Sequence, residues 1–361
     1  MVDSPYPELK KSHVPQRVGR PWSDHKPLPS APVWAVIGGF GSFHVLVAAL
    51  ELGVFDALVD RGATAGIIPL VTAGELADDL GVSAPHLEAL LDSLVVLELL
   101  ERAGGRYGLN DTAARYLTTD GAASMASLVP VAPGPLANWS QLAATIRAGS
   151  PDHPIDDKPT EFYRALVEGT FTTMLRAATR ADLQVRYSAM GSPRVLDLGA
   201  GGAPWTIAVL RACPGATAVV NDLPDVLDVA LHKTAEHGVD ERCEFRPGDF
   251  HTVPIEPEEY DIVVLGHVCR TEGPEGARSL ISRAWEALLP EGRVLVADYF
   301  VAPEPKWSPH SVLMGMTMMA STINGFPITA AQTATWLREA GFEALRLIEP
   351  IGHQYVYTAT K

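Results

Sequence analysis

The stretch from Val195 to Asp222, VLDLGAGGAPWTIAVLRACPGATAVVND, decides the fold of this chain. Its first apolar run ends after Asp197, and a glycine-rich turn leads to Pro204, which suits the first position of a helix. A second apolar run then ends in Asp222. Strand, tight turn, helix and strand in this order predict a β-α-β unit of a parallel sheet.

The same alternation continues to the end of the chain. Residues 260–266 (YDIVVLG) and 293–300 (RVLVADYF) are typical of strands, and residues 277–290 between them are typical of a helix. A last helix near 329–340 precedes two closing strands in the final twenty or so residues. The predicted fold class is α/β, with a Rossmann-like domain at residues 191–361.

The chain before this domain is mostly helical and divides into three parts. Residues 1–32 are rich in proline and basic residues without periodicity, which predicts an extended or disordered arm. Residues 33–120 are predicted to form a winged-helix-like domain. Thr72 and Ser83 should cap two of its helices, and Gly104-Gly105 should turn a hairpin. Residues 121–190 are predicted to be connecting helices, mainly over 124–148 and 161–190, that contribute to a substrate pocket.

The glycine-rich turn predicts a site for a nucleotide-like cofactor. Gly199 and Gly201 allow a sharp turn and a close ligand approach, and the amides at the helix start favour an anionic group. Asp222, at the end of the next strand, can accept hydrogen bonds from ribose hydroxyls. The pattern GxGxA, its place past the middle of the chain and the two closing strands favour S-adenosylmethionine (SAM) over NAD.

A third strand-end motif, Gly-Asp-Phe at 248–250, suits the adenine end of such a cofactor. Asp249 can accept a hydrogen bond from the adenine amino group, and Phe250 can lie against the ring. The alternative for Asp249 is a turn residue.

Taken in order, VLDLGAGGAP, Asp-Leu-Pro at 222–224, Gly-Asp-Phe at 248–250, EGRVLVADYF and GFPIT…WLREAGF resemble the plant-type O-methyltransferase family and its bacterial secondary-metabolism relatives. The resemblance covers roughly residues 33–361. It implies a winged-helix-like dimerisation domain, a class I SAM domain and small, often aromatic or polyketide, acceptors. The residues expected to line the SAM site are Asp197, Gly199, Gly201, Asp222, Leu223, Asp249, Phe250 and Gly266.

The family pattern breaks at the catalytic base. Members commonly carry His-Asp-Trp after the fourth strand, whereas Arg270 stands at that position here, and arginine cannot be deprotonated. Arg270 could form an ion pair with Glu272 or hold a substrate carboxylate or carbonyl. His267 could be a displaced base, a wall of the SAM pocket or a satisfied buried histidine. These alternatives stay open, with His267 and Arg270 as the candidate catalytic residues.

The resemblance also places an acceptor pocket on the methionine-rich run LMGMTMMASTINGF. Met314, Met318 and Asn324 are the candidates there, and Met174 is a fourth on the helix before the SAM domain. Methionine packs adaptably around flat apolar ligands, but such residues can equally belong to an ordinary core.

The bulk composition limits the possible partners. The formal net charge of −15 opposes general affinity for nucleic acids or anionic membranes. The three cysteines fit neither a disulfide framework nor a metal site. The start of the chain lacks a secretory pattern, and the apolar stretch 43–59 is interrupted by acids, so we expect a cytoplasmic protein.

Three functions follow from these patterns. The first is SAM-dependent methyl transfer to oxygen, with carbon or nitrogen as alternatives, in a homodimer whose apolar N-terminal helices form the interface. The second is a SAM-binding enzyme that rearranges, eliminates or hydroxylates without methyl transfer. The third is a winged-helix DNA-binding regulator. The helix that would read DNA carries His86, Glu88 and Asp92 without Lys or Arg, which opposes the third.

Overall fold

The computed structural model describes residues 30–62, 70–130, 136–155, 159–302, 308–351 and 353–361. These residues form two compact units that divide after residue 130. Nearly all of the predicted N-terminal arm, residues 1–29, lies outside the described part.

The first unit consists of short helices followed by a hairpin, as the winged-helix-like prediction requires. Its elements are α1 (Ala31–Glu51), α2 (Val54–Asp60), α3 (Ala73–Leu80), α4 (Ala84–Val96), β1 (Leu100–Ala103), β2 (Arg106–Leu109) and α5 (Asp111–Tyr116). Thr72 caps α3 in the predicted capping box, because its hydroxyl accepts from the Glu75 amide while the Glu75 carboxylate accepts from the Thr72 amide. Ser83 does not cap α4 with its side chain, since its hydroxyl bonds the His86 ring instead.

The acidic residues of α4 are engaged with the hairpin. Arg102 on β1 lies 2.6 Å from the Asp92 carboxylate and 3.4 Å from that of Glu88. The Tyr107 hydroxyl on β2 donates to Asp92 as well. The hairpin's Arg102 is therefore paired with α4 and does not form a separate basic surface.

Helix α1 exposes much of its apolar surface. It runs unbroken through Gly38, Gly39 and Gly41, where an added Cβ would meet nothing within 4 Å. Its exposed apolar side chains are Val33, Trp34, Val36, Ile37 and Phe40. Among the described residues, one stretch, Pro32–Glu51, is long and apolar enough to cross a membrane, a criterion that interface and core helices also meet.

The second unit is a layered α/β domain preceded by helices. Its elements are α6 (Leu136–Ser140), α7 (Leu142–Ala148), α8 (Pro159–Val185), β3 (Arg194–Leu198), α9 (Pro204–Ala212), β4 (Thr217–Asp222), α10 (Pro224–Glu236), β5 (Cys243–Pro247), β6 (Tyr260–Gly266), α11 (Cys269–Ala287), β7 (Leu288–Asp298), α12 (Pro309–Ser321), α13 (Ala330–Glu339), β8 (Glu343–Ile351) and β9 (Gln354–Thr360). The strands form one seven-stranded sheet in the order β5-β4-β3-β6-β7-β9-β8. The predicted Rossmann-like α/β fold is confirmed.

The sheet departs from a purely parallel arrangement at one edge. Strands β3 to β7 pair in parallel, but β9 lies antiparallel between β7 and β8. The two last strands are too close in sequence for a parallel crossover, so they form an antiparallel pair.

The connecting helices are shorter than predicted. Residues 121–130 form turns, and helix within the predicted 124–148 segment is limited to α6 and α7 among the described residues. The long helix ends at Val185, before the predicted 190, because Arg186 adopts a left-handed conformation with φ of +59° and a single 3-10 turn follows.

The strand order creates a crevice at the carboxyl edge of the sheet. From β3 the chain moves outward to β4 and β5, and then returns to β6 on the other side of β3. The connections after β3 and β6 therefore lead away from each other. Ligands of open α/β sheets bind in the crevice between two such connections.

Candidate cofactor and acceptor site

The turn after β3 is a cradle in which the glycines pack closely against their neighbours. Gly199 has φ of +66° and Gly201 has φ of +59°, values that favour glycine. A Cβ on Gly199 would lie 2.5 Å from Cγ1 of Val268 and 3.2 Å from the Phe250 ring. Those contacts are too short for a side chain, so the backbone itself forms the floor of the site.

Helix α8 closes the other side of this turn. A Cβ on Gly201 would lie 3.1 Å from Cγ2 of Val167, and one on Gly202 would lie 2.9 Å from the Phe171 ring. Neither Val167 nor Phe171 was predicted for the site, because a helix far back in the sequence gives no local signal of which face meets the turn.

Asp222 closes the crevice at the end of β4. Its two carboxylate oxygens accept from the amides of Gly201 and Leu223, each at 2.7 Å. A carboxylate oxygen can accept more than one hydrogen bond, so both retain capacity for ligand hydroxyls. Burial raises the pKa of Asp222 to about 6, with the two amide bonds opposing the rise.

Asp197 lies behind the turn and does not line it. The side chain is only 1% exposed, and its carboxylate accepts from the Thr206 hydroxyl at 2.7 Å. Burial raises its pKa to about 7. Its hydrogen bond to Thr206 ties the end of β3 to α9, and its contact with the cofactor stays a prediction.

Three further cofactor candidates, Asp249, Gly266 and Phe250, make contacts within the fold itself. Asp249 is exposed and accepts from the His251 amide at 2.7 Å, so its turn role is present whatever else it binds. A Cβ on Gly266 would lie 3.0 Å from the Trp205 ring, so this glycine makes room for a buried tryptophan. Phe250, half-buried, lies with its ring edge toward Gly199.

Arg270 is buried beside the same edge and is paired with Asp298. The Arg270 side chain donates through Nη1 to the Asp298 carboxylate and, at 3.0 Å, to Nδ1 of His267. Burial alone would raise the pKa of Asp298, but the charge of Arg270 holds it well below its usual range. Of the two alternatives for Arg270, the ion pair with Glu272 is not formed, because Glu272 contacts Nε2 of His251 at 2.8 Å.

His267 has both ring nitrogens engaged. Arginine only donates, so Nδ1 of His267 accepts from Arg270 and the ring hydrogen sits on Nε2. That nitrogen lies 3.0 Å from Oε1 of Gln354 and donates to it. A general base needs a free lone pair, so among the three alternatives for His267 this geometry favours the satisfied histidine.

The four acceptor-pocket candidates occupy different environments. Met318 and Met174 are buried, Met314 is half-buried and Asn324 is exposed. Helix α12 packs against α6 and α7. The segment after α12 is tied to the start of α11, since the Phe326 amide donates to the Arg270 carbonyl at 3.0 Å.

A cluster of side chains that the sequence reasoning missed completes this edge. The Tyr299 ring lies 4.9 Å from that of His267 and 4.7 Å from that of His310. Arg270 lies over the Tyr299 ring at 5.1 Å. One signal was available: β7 ends in Asp298 as β4 ends in Asp222, but the histidine and tyrosine partners come together only in the folded chain.

Within the described ranges, no group of three or more His, Cys, Asp or Glu side chains is arranged to hold a metal ion. The arrangement instead suits an organic ligand with a nucleoside part: a glycine floor, a strand-end acid and an aromatic ring. Because the Asp222 carboxylate lies at this turn with acceptor capacity for ribose hydroxyls, the residues present fit SAM.

Two family models match the chain. An O-methyltransferase domain matches residues 139–343, and an O-methyltransferase dimerisation domain matches residues 34–119. The first alone spans more than half of the chain.

Individual relatives agree with these models. The chain is 28% identical to a 3-hydroxy-5-methyl-1-naphthoate 3-O-methyltransferase of Streptomyces sahachiroi, over 86% of this chain and 88% of the relative. It is 27% identical to a tetracenomycin polyketide synthesis 8-O-methyltransferase of Streptomyces glaucescens, over 85% and 89%. Human N-acetylserotonin methyltransferase in complex with SAM has the same fold, with a TM-score of 0.77 and 23% identity, over 94% of this chain and 99% of that one. This chain therefore belongs to the O-methyltransferase family and is a SAM-dependent methyltransferase.

Proposed function

We propose that this enzyme methylates a hydroxyl oxygen of a small aromatic or polyketide-type secondary metabolite. The observation that carries the proposal is the glycine cradle beside Asp222, at the same sheet edge as the Arg270 cluster. The Streptomyces relatives named for a hydroxynaphthoate and for tetracenomycin synthesis support this acceptor class.

The proposed roles of the cofactor residues follow from their positions. The turn at Gly199 and Gly201 would take the charged amino-acid end of SAM, and Asp222 the ribose hydroxyls. Asp249 and Phe250, with Leu223 beside Asp222, would surround the adenine. When bound, SAM supplies an electrophilic methyl group on a sulfonium.

Arg270 is proposed to orient the acceptor. Its Nε is buried and has no hydrogen-bond partner among the described residues, while Nη1 makes both bonds to Asp298 and His267. An unpaired buried donor costs about 1–3 kcal/mol, and an acceptor carbonyl or carboxylate reaching this guanidinium would offset that cost. Met314 and Asn324, on the adjacent α12 segment, are proposed to border the acceptor.

The pair of Arg270 and Asp298 gives less support to a reaction without methyl transfer than to methyl transfer. That alternative rests on an isolated positive charge beside SAM, which would stabilise a developing oxyanion. Asp298 compensates the charge of Arg270, so the pair as a whole is neutral. Methyl transfer therefore remains the function that the site supports best.

A homodimer is proposed to form through α1. Val36 and Phe40 are 79% and 70% exposed, and three further large apolar side chains of the helix are also exposed. A contiguous apolar surface of this kind usually marks an interface. The match of residues 34–119 to a dimerisation domain supports a second copy of this chain as the occupant.

Calorimetry with SAM and S-adenosylhomocysteine tests the cofactor assignment. Wild type should bind both, and Asp222→Ala should weaken binding at least tenfold because the ribose hydroxyls lose their acceptor. Asp225→Ala removes an exposed acid from the start of α10 and is the matched control. Equal affinity of the two variants would reject the role given to Asp222.

A further inference from the structure

His310 stands at the start of α12 with its ring held by two aromatic neighbours. The Tyr299 ring meets it edge-on at 4.7 Å, and the His353 ring stacks on it at 4.7 Å with an interplanar angle of 30°. His310 is half-buried, whereas His353 is exposed. The ring is thus positioned without using its nitrogen atoms.

Two other histidines at this sheet edge are already engaged. His251 is paired with Glu272, and His267 is bonded on both sides. Among the described residues, neither ring nitrogen of His310 has a hydrogen-bond partner, and neither is sealed in as an unsatisfied buried atom. His310 therefore combines a fixed ring with an available lone pair.

The surroundings of His310 keep it neutral. Burial, and then the charges of His353, Arg270 and His267, lower its pKa to about 4. The Asp298 carboxylate is already paired with Arg270. At neutral pH the imidazole is therefore unprotonated, and its lone pair can accept a proton.

We propose that His310 is the general base of methyl transfer, in place of the histidine that Arg270 has replaced. The inference rests on the proposed function, since it requires a hydroxylated acceptor. The acceptor O–H bond breaks and its proton moves to a ring nitrogen of His310. The oxygen forms a bond to the methyl carbon as the methyl–sulfur bond breaks. The electron pair of the broken bond remains on sulfur in S-adenosylhomocysteine.

The two ends of the acceptor would then have separate anchors. Arg270 and His310 both contact Tyr299, so this ring lies between the orienting cation and the base. An aromatic acceptor with a carbonyl or carboxylate at one position and a hydroxyl at another would meet both. Its anionic group would also offset the charge of Arg270 that disfavours proton uptake by His310.

The test measures S-adenosylhomocysteine release by wild type, His310→Ala, His310→Gln and the surface control His232→Gln. The acceptors are 3-hydroxy-5-methyl-1-naphthoate, related hydroxyarenes and ring-nitrated analogues whose hydroxyl is already ionised at pH 7.5. Thermal unfolding and SAM affinity show whether each variant is folded. Acceptor affinity in the presence of S-adenosylhomocysteine separates binding from transfer.

For un-ionised acceptors, His310→Ala should lower kcat by about 100-fold or more, the usual contribution of a general base. With pre-ionised analogues, the kcat of His310→Ala should fall little. Added imidazole should restore transfer to un-ionised acceptors in this variant, and its acceptor affinity should hardly change. Equal losses for both acceptor types without imidazole rescue, or unchanged rates, would overturn the role of His310. If wild type itself turns over no acceptor, the proposed function fails with it.

Discussion

Substitution of Gly199 by alanine perturbs the cradle in a way that the structure lets us quantify. The backbone there has φ of +66°, which costs an alanine about 1–2 kcal/mol. The new Cβ would also lie 2.5 Å from Val268 and 3.2 Å from Phe250. Relief of such overpacking costs about 1–3 kcal/mol more and displaces two side chains of the cofactor site.

Gly238→Ala is a matched control for this experiment. Gly238 has nearly the same φ, +65°, but a Cβ there would meet nothing within 4 Å. The control should therefore show the backbone cost alone, about 1–2 kcal/mol, with unchanged SAM affinity. Gly199→Ala should lose roughly 2–5 kcal/mol in total and bind SAM at least tenfold more weakly.

Thermal unfolding and calorimetric SAM titration measure the two effects separately. Each kcal/mol corresponds to a shift in Tm of about 2–4 °C for a domain of this size. If Gly199→Ala and Gly238→Ala show the same Tm and the same SAM affinity, the cradle is not a close-fitting site and the reasoning is wrong.

Three further outcomes are expected. SAM affinity should fall as the pH is lowered from 7.5 to 5, because burial raises the pKa of Asp222 to about 6 and protonation removes acceptor capacity. A calorimetric series on Asp222→Asn should show a SAM affinity that depends less on pH. Arg270→Met should lower the free energy of unfolding by about 3–5 kcal/mol at pH 7, because the charge of Asp298 is left uncompensated. Urea unfolding of a double variant that also carries Asp298→Leu should show much of that stability restored. Phe40→Asp should give monomers in light scattering, whereas Leu183→Asp, at an equally exposed site outside the dimerisation match, should leave the dimer intact; a persistent Phe40→Asp dimer would place the interface elsewhere.

The pH dependence of stability at Asp298 has a definite sign. Its pKa in the folded protein lies below the unfolded value, so the pair contributes stability above about pH 4 that is lost as the pH falls further. In Arg270→Met the buried carboxyl should have a raised pKa instead. That variant should then lose stability as the pH rises from 5 to 7, opposite to the contribution in wild type.

The sequence predicted the sheet well because local patterns determine it. The apolar run before Gly199, proline at the first turn of α9 and an acid at the end of β4 together specify strand, turn, helix and strand without knowledge of the rest. The capping box at Thr72 and the Gly104-Gly105 turn were predictable for the same reason. Each feature depends on residues only a few positions apart.

The errors have a different origin. The end of α8 depends on a left-handed residue, Arg186, that carries no glycine-like signal. The pairing of Arg270 with Asp298 instead of Glu272 depends on the start of α11 lying against the end of β7, 28 positions away in sequence. A choice between a near acid and a distant one requires the tertiary structure.

The candidate site residues also divide into those that a contiguous motif predicts and those that only the fold brings together. Gly199, Gly201 and Asp222 follow from a contiguous motif, and the structure brings them together. The Tyr299, His310 and His353 cluster joins the end of β7, the start of α12 and the β8–β9 turn, so no spacing rule could reveal it. The base proposed for the reaction comes from this second group.

The central claim, transfer of the SAM methyl group to a small acceptor, is tested most directly by the stoichiometry of a single reaction. The purified enzyme is incubated with methyl-deuterated SAM and hydroxynaphthoate acceptors, and both products are quantified by mass spectrometry. Each product molecule should carry one labelled methyl group and appear together with one molecule of S-adenosylhomocysteine. Conversion of the acceptor with SAM recovered unchanged would contradict the account.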